Sequence, residues 1–456
     1  MHTLKHLRNG QLAGSRRLNL SCDLNYFPPE IFDLADTLEI LDLSGNALNS
    51  LPDELPRLHK LRILFCSNNL FTELPRVLGQ CTNLSMVGFK TNSIRSVPAA
   101  SLPPNLRWLI LTDNQISELP AALGNCTQLQ KLMLAGNRLS ALPEEMTACT
   151  RLELLRIAAN RFEILPDWLG KLPRLAWLAY AGNPCCAALE NITAQDSSIH
   201  PIDWRELEVQ QQLGEGASGV IYQALWHSHP QQTVAVKLFK GKLTSDGLPQ
   251  SEMACCIKAG EHPNLISVRG RIQQHPGAAN GLVMTLVAPE FRNLAKPPSL
   301  DSCTRDIYAH DTQFSAQQVL SIATGIAAAV MQLHARGILH GDLYAHNILY
   351  NSTGHALLGD FGAASLFDPE QTVAANALQR LEVRAFAYLL DELLTRCGDA
   401  ASISGALTEL QVHCVSDNPA ERPLFAEIVE VLQHVSSQLS STLIIPVHPD
   451  QPREFD

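Results

Sequence analysis

The stretch HGDLYAHNIL, His340 to Leu349, places Asp342 five residues before Asn347, and thirteen residues beyond that asparagine the chain reads Asp360-Phe361-Gly362. A histidine, an aspartate and an asparagine in this order raise the question of a phosphate-transfer loop, working or remnant. Upstream, LGEGASGVIYQAL carries Gly214, Glu215, Gly216 and Gly219, and the strand-like TVAVKLF places Lys237 18 residues after the last of those glycines. A glycine hairpin lets backbone amides approach phosphate, while a lysine on the next strand reaches the α- and β-phosphates of a nucleotide. A GxGxxG run alone is equally an ordinary β-hairpin. Here it continues as GxGxxGxI and is followed by Ala-Val-Lys, the order in which a cover and a clamp are needed.

Together these segments resemble the eukaryotic-type protein kinases over about Trp204 to Leu432. The resemblance implies ATP and Mg2+ as cofactors. It implies that Asp342 accepts or orients the proton of an acceptor hydroxyl, that Lys237 clamps the phosphates, and that Asn347 and Asp360 hold magnesium. Lys237 needs a glutamate on the following helix. Glu252 in QSEMACCIKAGEHPNLI is expected to supply it, with Glu261 as the alternative because it abuts the HPN turn. Leu213, Ile221, Ala235 and Leu349 fall where the family sandwiches adenine, and LVMTLV places Met284 just before the hinge with Thr285 to Val287 along it. In DNPAERPLFAEIVEVL, Arg422-Pro423 matches the family's last conserved helical element, and the arginine there is expected to be architectural.

Three departures bear on the chemistry. The arginine that usually precedes the catalytic aspartate is Gly341, which implies activity not gated by a phosphorylated activation loop. The lysine that serine/threonine kinases carry two residues after that aspartate, and the arginine that tyrosine kinases carry four after, are Tyr344 and His346. Neither is a permanent cation for a transferring phosphoryl group, whose stabilisation is mostly electrostatic, and free histidine titrates near about 6.5. No Ala-Pro-Glu motif follows Asp360. LEVRAFAYLLDELL looks like the family's Asp-Val-Tyr-Ser-Phe-Gly helix with Glu382 in the aspartate's place, only 22 residues after Asp360. The peptide platform is abbreviated, and Arg422 loses its customary glutamate partner. The groups that bind Mg·ATP remain, as does Asp342, so the expected function is an ATP-dependent protein kinase directed at serine or threonine. An ATP-binding pseudokinase scaffold and a small-molecule kinase on the same fold are the alternatives. Ser365 and Thr372, the only hydroxyls between Asp360 and Arg380, are either self-phosphorylation sites or simple loop residues.

The first half must present something to this site, and it repeats. LEILDLSGNALNSLP, LRILFCSNNLFTELP, LSMVGFKTNSIRSVP, LRWLILTDNQISELP, LQKLMLAGNRLSALP and LELLRIAANRFEILP lead to LAWLAYAGNP, with asparagines at Asn46, Asn69, Asn92, Asn114, Asn137, Asn160 and Asn183 spaced by 22 or 23 residues. This resembles the leucine-rich repeats. Alternating leucines of a short strand point into a shared core, and since one unit cannot bury its own apolar face the units must stack. RRLNLSCDLNYFPPEIF, with Asp23 in the asparagine's place, reads as a degenerate capping unit. The outward positions Glu39, Asp42, Arg62, Phe65, Lys90, Arg107, Trp108, Arg156 and Trp177 form a concave face on which a protein partner or substrate is expected.

The expected architecture is an α/β leucine-rich repeat solenoid over residues 1–190, a linker over 191–202, an α+β bilobal protein-kinase fold over 203–440 and a tail over 441–456. At 456 residues the chain is long enough for several cores, and 46% hydrophobic against 17% charged residues excludes a disordered class. The solenoid half holds 18 basic and 17 acidic residues, so the net charge of −11 resides in the second half. Neither half has the basic balance of a nucleic-acid surface. The 12 cysteines form no CxxC pair, which fits a reducing compartment. No secretory signal and no uninterrupted apolar run of about 18 residues is visible, so a cytoplasmic location is expected and LSIATGIAAAVMQLH reads as a buried helix. Repeat-kinase fusions of this kind resemble bacterial, plant and protist proteins, and the compact activation segment leans the expectation toward bacterial ones.

Overall fold

The computed structural model describes residues 2–194, 199–227, 230–241, 243–399 and 403–442. After a short helix α1 (Leu4–Arg8), each repeat contributes one three-residue strand: β1 (Arg17–Asn19), β2 (Ile40–Asp42), β3 (Ile63–Phe65), β4 (Met86–Gly88), β5 (Trp108–Ile110), β6 (Lys131–Met133), β7 (Leu154–Arg156) and β8 (Trp177–Ala179). They pair in parallel, in chain order, as one eight-stranded sheet. The central residues Leu41, Leu64, Val87, Leu109, Leu132, Leu155 and Leu178 stand in register and are buried. The Leu-Pro closures lead into 3-10 turns on the opposite side, which let the sheet curve.

The asparagines form the ladder that the 23-residue register requires. Asn69 donates from Nδ2 to Leu43 O at 2.9 Å and accepts at Oδ1 from Leu48 N at 2.9 Å, bonding two successive repeats. Asn92, Asn114, Asn137, Asn160 and Asn183 repeat the arrangement. Buried amides that satisfy backbone groups in this way avoid the cost of leaving them unpaired.

Helix α2 (Pro184–Ala194) follows the last repeat, and β9 (Pro201–Asp203) opens the second half. Strands β10 (Leu207–Glu215), β11 (Gly219–Trp226), β12 (Gln232–Phe239), β13 (Val268–Gln273) and β14 (Gly281–Thr285) join it in a sheet ordered β10-β11-β12-β14-β13-β9. Helix α3 (Pro249–Ala259) connects β12 to β13. The helical lobe is built from α4 (Ala316–Ala335), α5 (Thr372–Thr395), α6 (Ser404–Cys414) and α7 (Phe425–Thr442). By length and composition α4 is apolar enough to cross a membrane, yet 56% of its apolar window is buried in the lobe's core. Ser315 caps it, accepting from Gln318 N at 3.2 Å while Gln318 Oε1 accepts from Ser315 N.

The concave side of the solenoid packs against the second half. Trp177 donates from Nε1 to Leu343 O at 3.0 Å, Tyr180 OH to Leu366 O at 3.2 Å and Arg422 Nη2 to Pro173 O at 2.6 Å. Lys90 reaches Ser245 Oγ at 2.9 Å and Arg107 reaches Asp301 O at 2.9 Å. Leu339, Phe367, Ala375 and Leu381 belong to the solenoid's apolar core, while Leu154, Ala176 and Trp177 belong to that of the helical lobe. Burial of this kind marks a core rather than a passing contact.

The expectation of a partner along the whole concave face is corrected accordingly. From Lys90 onward that face is taken by the chain's own second half. Glu39, Asp42, Arg62 and Phe65 make no such bond among the described residues, and Arg62 and Glu39 pair with each other at 2.9 Å.

Candidate active site

A cleft of about 200 Å³ opens between the sheet and the helical lobe. It is lined by Gly216, Gly219 and Ile221 of the hairpin, Lys237 of β12, Glu252 of α3, Met284 of β14, and Asp360. The hairpin register sets Ile221 opposite Lys237, and β14 sets Met284 opposite Ala235. Lys237 Nζ forms an ion pair with Glu252, which is 2% exposed. Glu261 instead faces Arg269 at 3.6 Å. Burial works against the Lys237 ammonium, but the carboxylates of Glu252 and Asp360 hold its pKa above the usual value; burial raises Glu252 as well, with Lys237 opposing.

Other expected residues lie around this cleft without lining it. Leu213 is 46% exposed, Gly214 pairs with Ile221, and Glu215 forms an ion pair with Lys240. Ala235 is buried, Val287 is half-buried, and Thr285 Oγ1 accepts from Arg269 Nε at 3.0 Å. Leu349 lies on a small sheet opposite Asn293 and Leu357.

The catalytic-type loop is held from beneath. Glu382 accepts from Gly341 N and bonds His334 Nε2 at 2.7 Å, and His340 Nε2 bonds Gly359 O at 2.9 Å. Burial disfavours the Glu382 carboxylate, but these partners keep its pKa below the ordinary value. Asn347 Nδ2 donates to both Asp342 Oδ2 and Asp342 O at 2.9 Å, which fixes the aspartate and leaves Asn347 Oδ1 as an acceptor. His346 is committed to Asp306, with Nδ1 2.7 Å from Oδ1.

Each departure from the kinase pattern coincides with a solenoid contact. Gly341 has φ +73°, and a Cβ there would lie 2.6 Å from both Leu178 O and Ala363 O, so no arginine fits. Tyr344 is buried with its ring stacked on Trp177, 4.1 Å between centroids. Arg422, without its customary glutamate, bonds Pro173 O and also Arg380 O and Ser416 O.

Sequence reasoning placed Arg156 on the concave face and did not connect it with the catalytic-type loop. It extends from β7 with a side chain only 2% exposed, donating from Nε to Asp246 Oδ1 at 2.8 Å, from Nη1 to Gly341 O at 2.9 Å and from Nη2 to Asp342 Oδ1. Burial alone would raise the pKa of Asp342, yet Arg156 and then His346 hold it below the ordinary aspartate value. Burial raises that of Asp246, against Arg156 and with Asp342 adding repulsion. No spacing signal could have joined residues 156 and 342, which are 186 positions apart.

Among the described residues no group of three or more His, Cys, Asp or Glu is arranged to hold a metal ion. Magnesium needs few protein ligands when phosphates and water complete its shell. The free Oδ1 of Asn347 and the exposed Asp360 carboxylate, bonded only at Oδ1 to Gly362 N at 3.1 Å, are hard oxygen donors that suit it.

The class that this fold and site define is a leucine-rich repeat solenoid joined to a protein-kinase fold. Residues 207–403 match the family model of the protein kinase domain, residues 104–145 that of leucine rich repeats in two copies, and residues 37–58 that of the single leucine rich repeat. The chain carries leucine-rich repeats and a protein kinase domain. It is similar to the probable serine/threonine-protein kinase gdt4 of Dictyostelium discoideum, 25% identical over 287 residues that make up 53% of this chain and 16% of that protein. It is also similar to serine/threonine-protein kinase STY17 of Arabidopsis thaliana, 23% identical over 293 residues covering 56% and 49% of the two chains. A third relative, the probable serine/threonine-protein kinase drkC of Dictyostelium discoideum, is 24% identical over 283 residues covering 52% and 35%. The chain thus spans less than half the length of each of these relatives. They lend no support to the expected bacterial character.

Proposed function

We propose that this chain is an ATP-dependent protein kinase that transfers the γ-phosphate to serine or threonine hydroxyls. The observation that carries the reading is the convergence on one cleft of a buried Lys237–Glu252 pair, the Asp360 carboxylate and, beside it, Asp342 locked to Asn347. Lys237 would clamp the α- and β-phosphates. Asp342 would orient the acceptor hydroxyl and take its proton as the oxygen attacks the γ-phosphorus and the bond to ADP breaks. Magnesium, held by Asn347 and Asp360, would neutralise the phosphate charge. The open part of the concave face, around Glu39, Arg62 and Phe65, is then the place for a protein partner, and binding there would raise the local substrate concentration. The cysteine usage supports a cytosolic setting.

One observation favours a second reading, a small-molecule acceptor. Asp342 lies under the solenoid with its side chain 19% exposed, and the solenoid covers ground where an extended peptide would lie. The test is the intact mass of the protein, and of a general protein acceptor, after incubation with Mg·ATP, beside Asp342→Asn. Added phosphate that disappears in the variant supports the protein kinase. ADP release without phosphorylated protein supports the small acceptor. Nucleotide binding without turnover sinks both.

A further inference from the structure

The catalytic-type loop carries no permanent cation at the positions where kinases keep one, since these are Gly341, Tyr344 and His346, and His346 is bonded to Asp306. A guanidinium nevertheless stands against Asp342, and it comes from the solenoid. Resting on the reading of phosphotransfer, we infer that Arg156 is a positioning residue of this active site: its buried fork, bonded to Asp342, Gly341 O and Asp246, supplies from β7 the fixed cation that the loop itself lacks.

Three features support a permanent component over a removable latch. The contacts form a planar fork, two of them with carboxylates and one with the loop's own carbonyl, the geometry for which arginine is preferred to lysine. The surroundings are built as core. Trp177 is 1% exposed, is stacked on Tyr344 and bonded to Leu343 O, and peeling it away would expose apolar residues that both halves share. The loop has also been shaped for this neighbour, because Gly341 leaves room for Leu178 O where a side chain would collide.

The position of Arg156 divides the labour at Asp342. Asn347 holds one carboxylate oxygen and Arg156 the other, so the carboxylate plane is fixed on both sides. Lys131 on β6, buried against the Trp108 ring at 4.5 Å, makes no ion pair among the described residues, so Arg156 is the solenoid cation that contacts the aspartate. Without the guanidinium, Asp246 and Asp342 would be two neighbouring acids with nothing between them, and Asp342 would be free to rotate away from an acceptor.

The test compares wild type, Arg156→Lys, Asp246→Asn and the charge-balanced Arg156→Met/Asp246→Asn in full-length protein. Phosphotransfer gives kcat and the KM for ATP, while a fluorescent nucleotide reports binding and thermal melting reports folding. We expect the double variant to lose about 10²-fold in kcat relative to Asp246→Asn, the size typical of one lost preorganised donor, with KM and nucleotide affinity changed less than about twofold. Arg156→Lys, which keeps the charge without the fork, should fold and fall between. Equal or higher kcat in the double variant than in Asp246→Asn overturns the inference, a gain marking an inhibitory contact instead. Should the double variant not fold, wild-type kcat in Arg156→Lys with a parallel loss in nucleotide binding overturns it as well. Absence of transfer by the wild type, with nucleotide still bound, removes the kinase reading and this role with it. Transfer by the wild type that ignores Arg156 removes this role alone.

Discussion

The indole of Trp177 lies parallel to the ring of Tyr344, 4.1 Å between centroids and 6° between planes, while its Nε1 bonds the carbonyl of the preceding Leu343. One solenoid side chain thereby fixes two consecutive residues of the catalytic-type loop. Trp177→Ala should lower the unfolding free energy by about 3–5 kcal/mol, the usual range for emptying a large aromatic site. Urea unfolding followed by far-ultraviolet circular dichroism checks this, and a loss below about 1 kcal/mol would show that the two halves do not depend on the stack.

Gly341→Arg would restore the residue that kinases usually carry there, yet we expect it to harm. The backbone has φ +73° and the new Cβ would meet two carbonyl oxygens at 2.6 Å. Strain of this kind costs about 1–3 kcal/mol before the side chain itself is accommodated. Thermal melting should fall by several degrees, and an unchanged midpoint would contradict the close approach of Leu178.

Lys237→Met leaves Glu252 buried and unpaired, which should cost about 3–5 kcal/mol. Adding Glu252→Gln should recover part of that loss. The stabilisation conferred by Mg·ATP should be absent from both variants. A double-mutant cycle of urea midpoints with and without nucleotide measures the coupling, and additive losses would mean that the pair does not form.

Glu392 titrates in the folded protein at about 7, raised from 4.5 first by burial and then by Asp306, while Tyr308, Arg305 and Arg396 oppose. The folded state therefore binds more protons than the unfolded state between those two values, so this group's contribution to stability falls as pH rises through that window and levels off above it. Glu392→Gln should remove this slope. Measured at about pH 5 and about pH 7.5, wild type should lose on the order of 1–3 kcal/mol relative to the variant. A difference of zero between their pH dependences would place Glu392 in contact with water.

Much of this was legible in the sequence because its signals are local. The asparagines at 23-residue steps specified the stacked strands, since each repeat places the same amide where the chain turns. Lys237 and Glu252 were readable because a strand and the helix that follows it carry them in fixed order. The packing of the solenoid on the kinase fold was not. Gly341, Tyr344 and Arg422 read as positions where a familiar partner had been lost, whereas Leu178 O, Trp177 and Pro173 O occupy the vacated ground. Those partners lie more than 160 residues away, a distance that propensity and periodicity do not reach. The polar stretch read as a linker from residue 191 is entered by α2, which runs to Ala194.

The number of repeats is ordinarily the freest property of a solenoid, because each unit touches only its neighbours and one more or fewer merely lengthens or shortens the stack. Here β7 and β8 place Arg156 and Trp177 against a single loop, and deleting one repeat between Lys90 and Trp177 would shift the contacts to its N-terminal side by one strand spacing, about 4.8 Å. That is more than a hydrogen bond tolerates. The solenoid therefore acts as a ruler whose count is set from Lys90 onward, while repeats can be gained or lost ahead of it without disturbing the site.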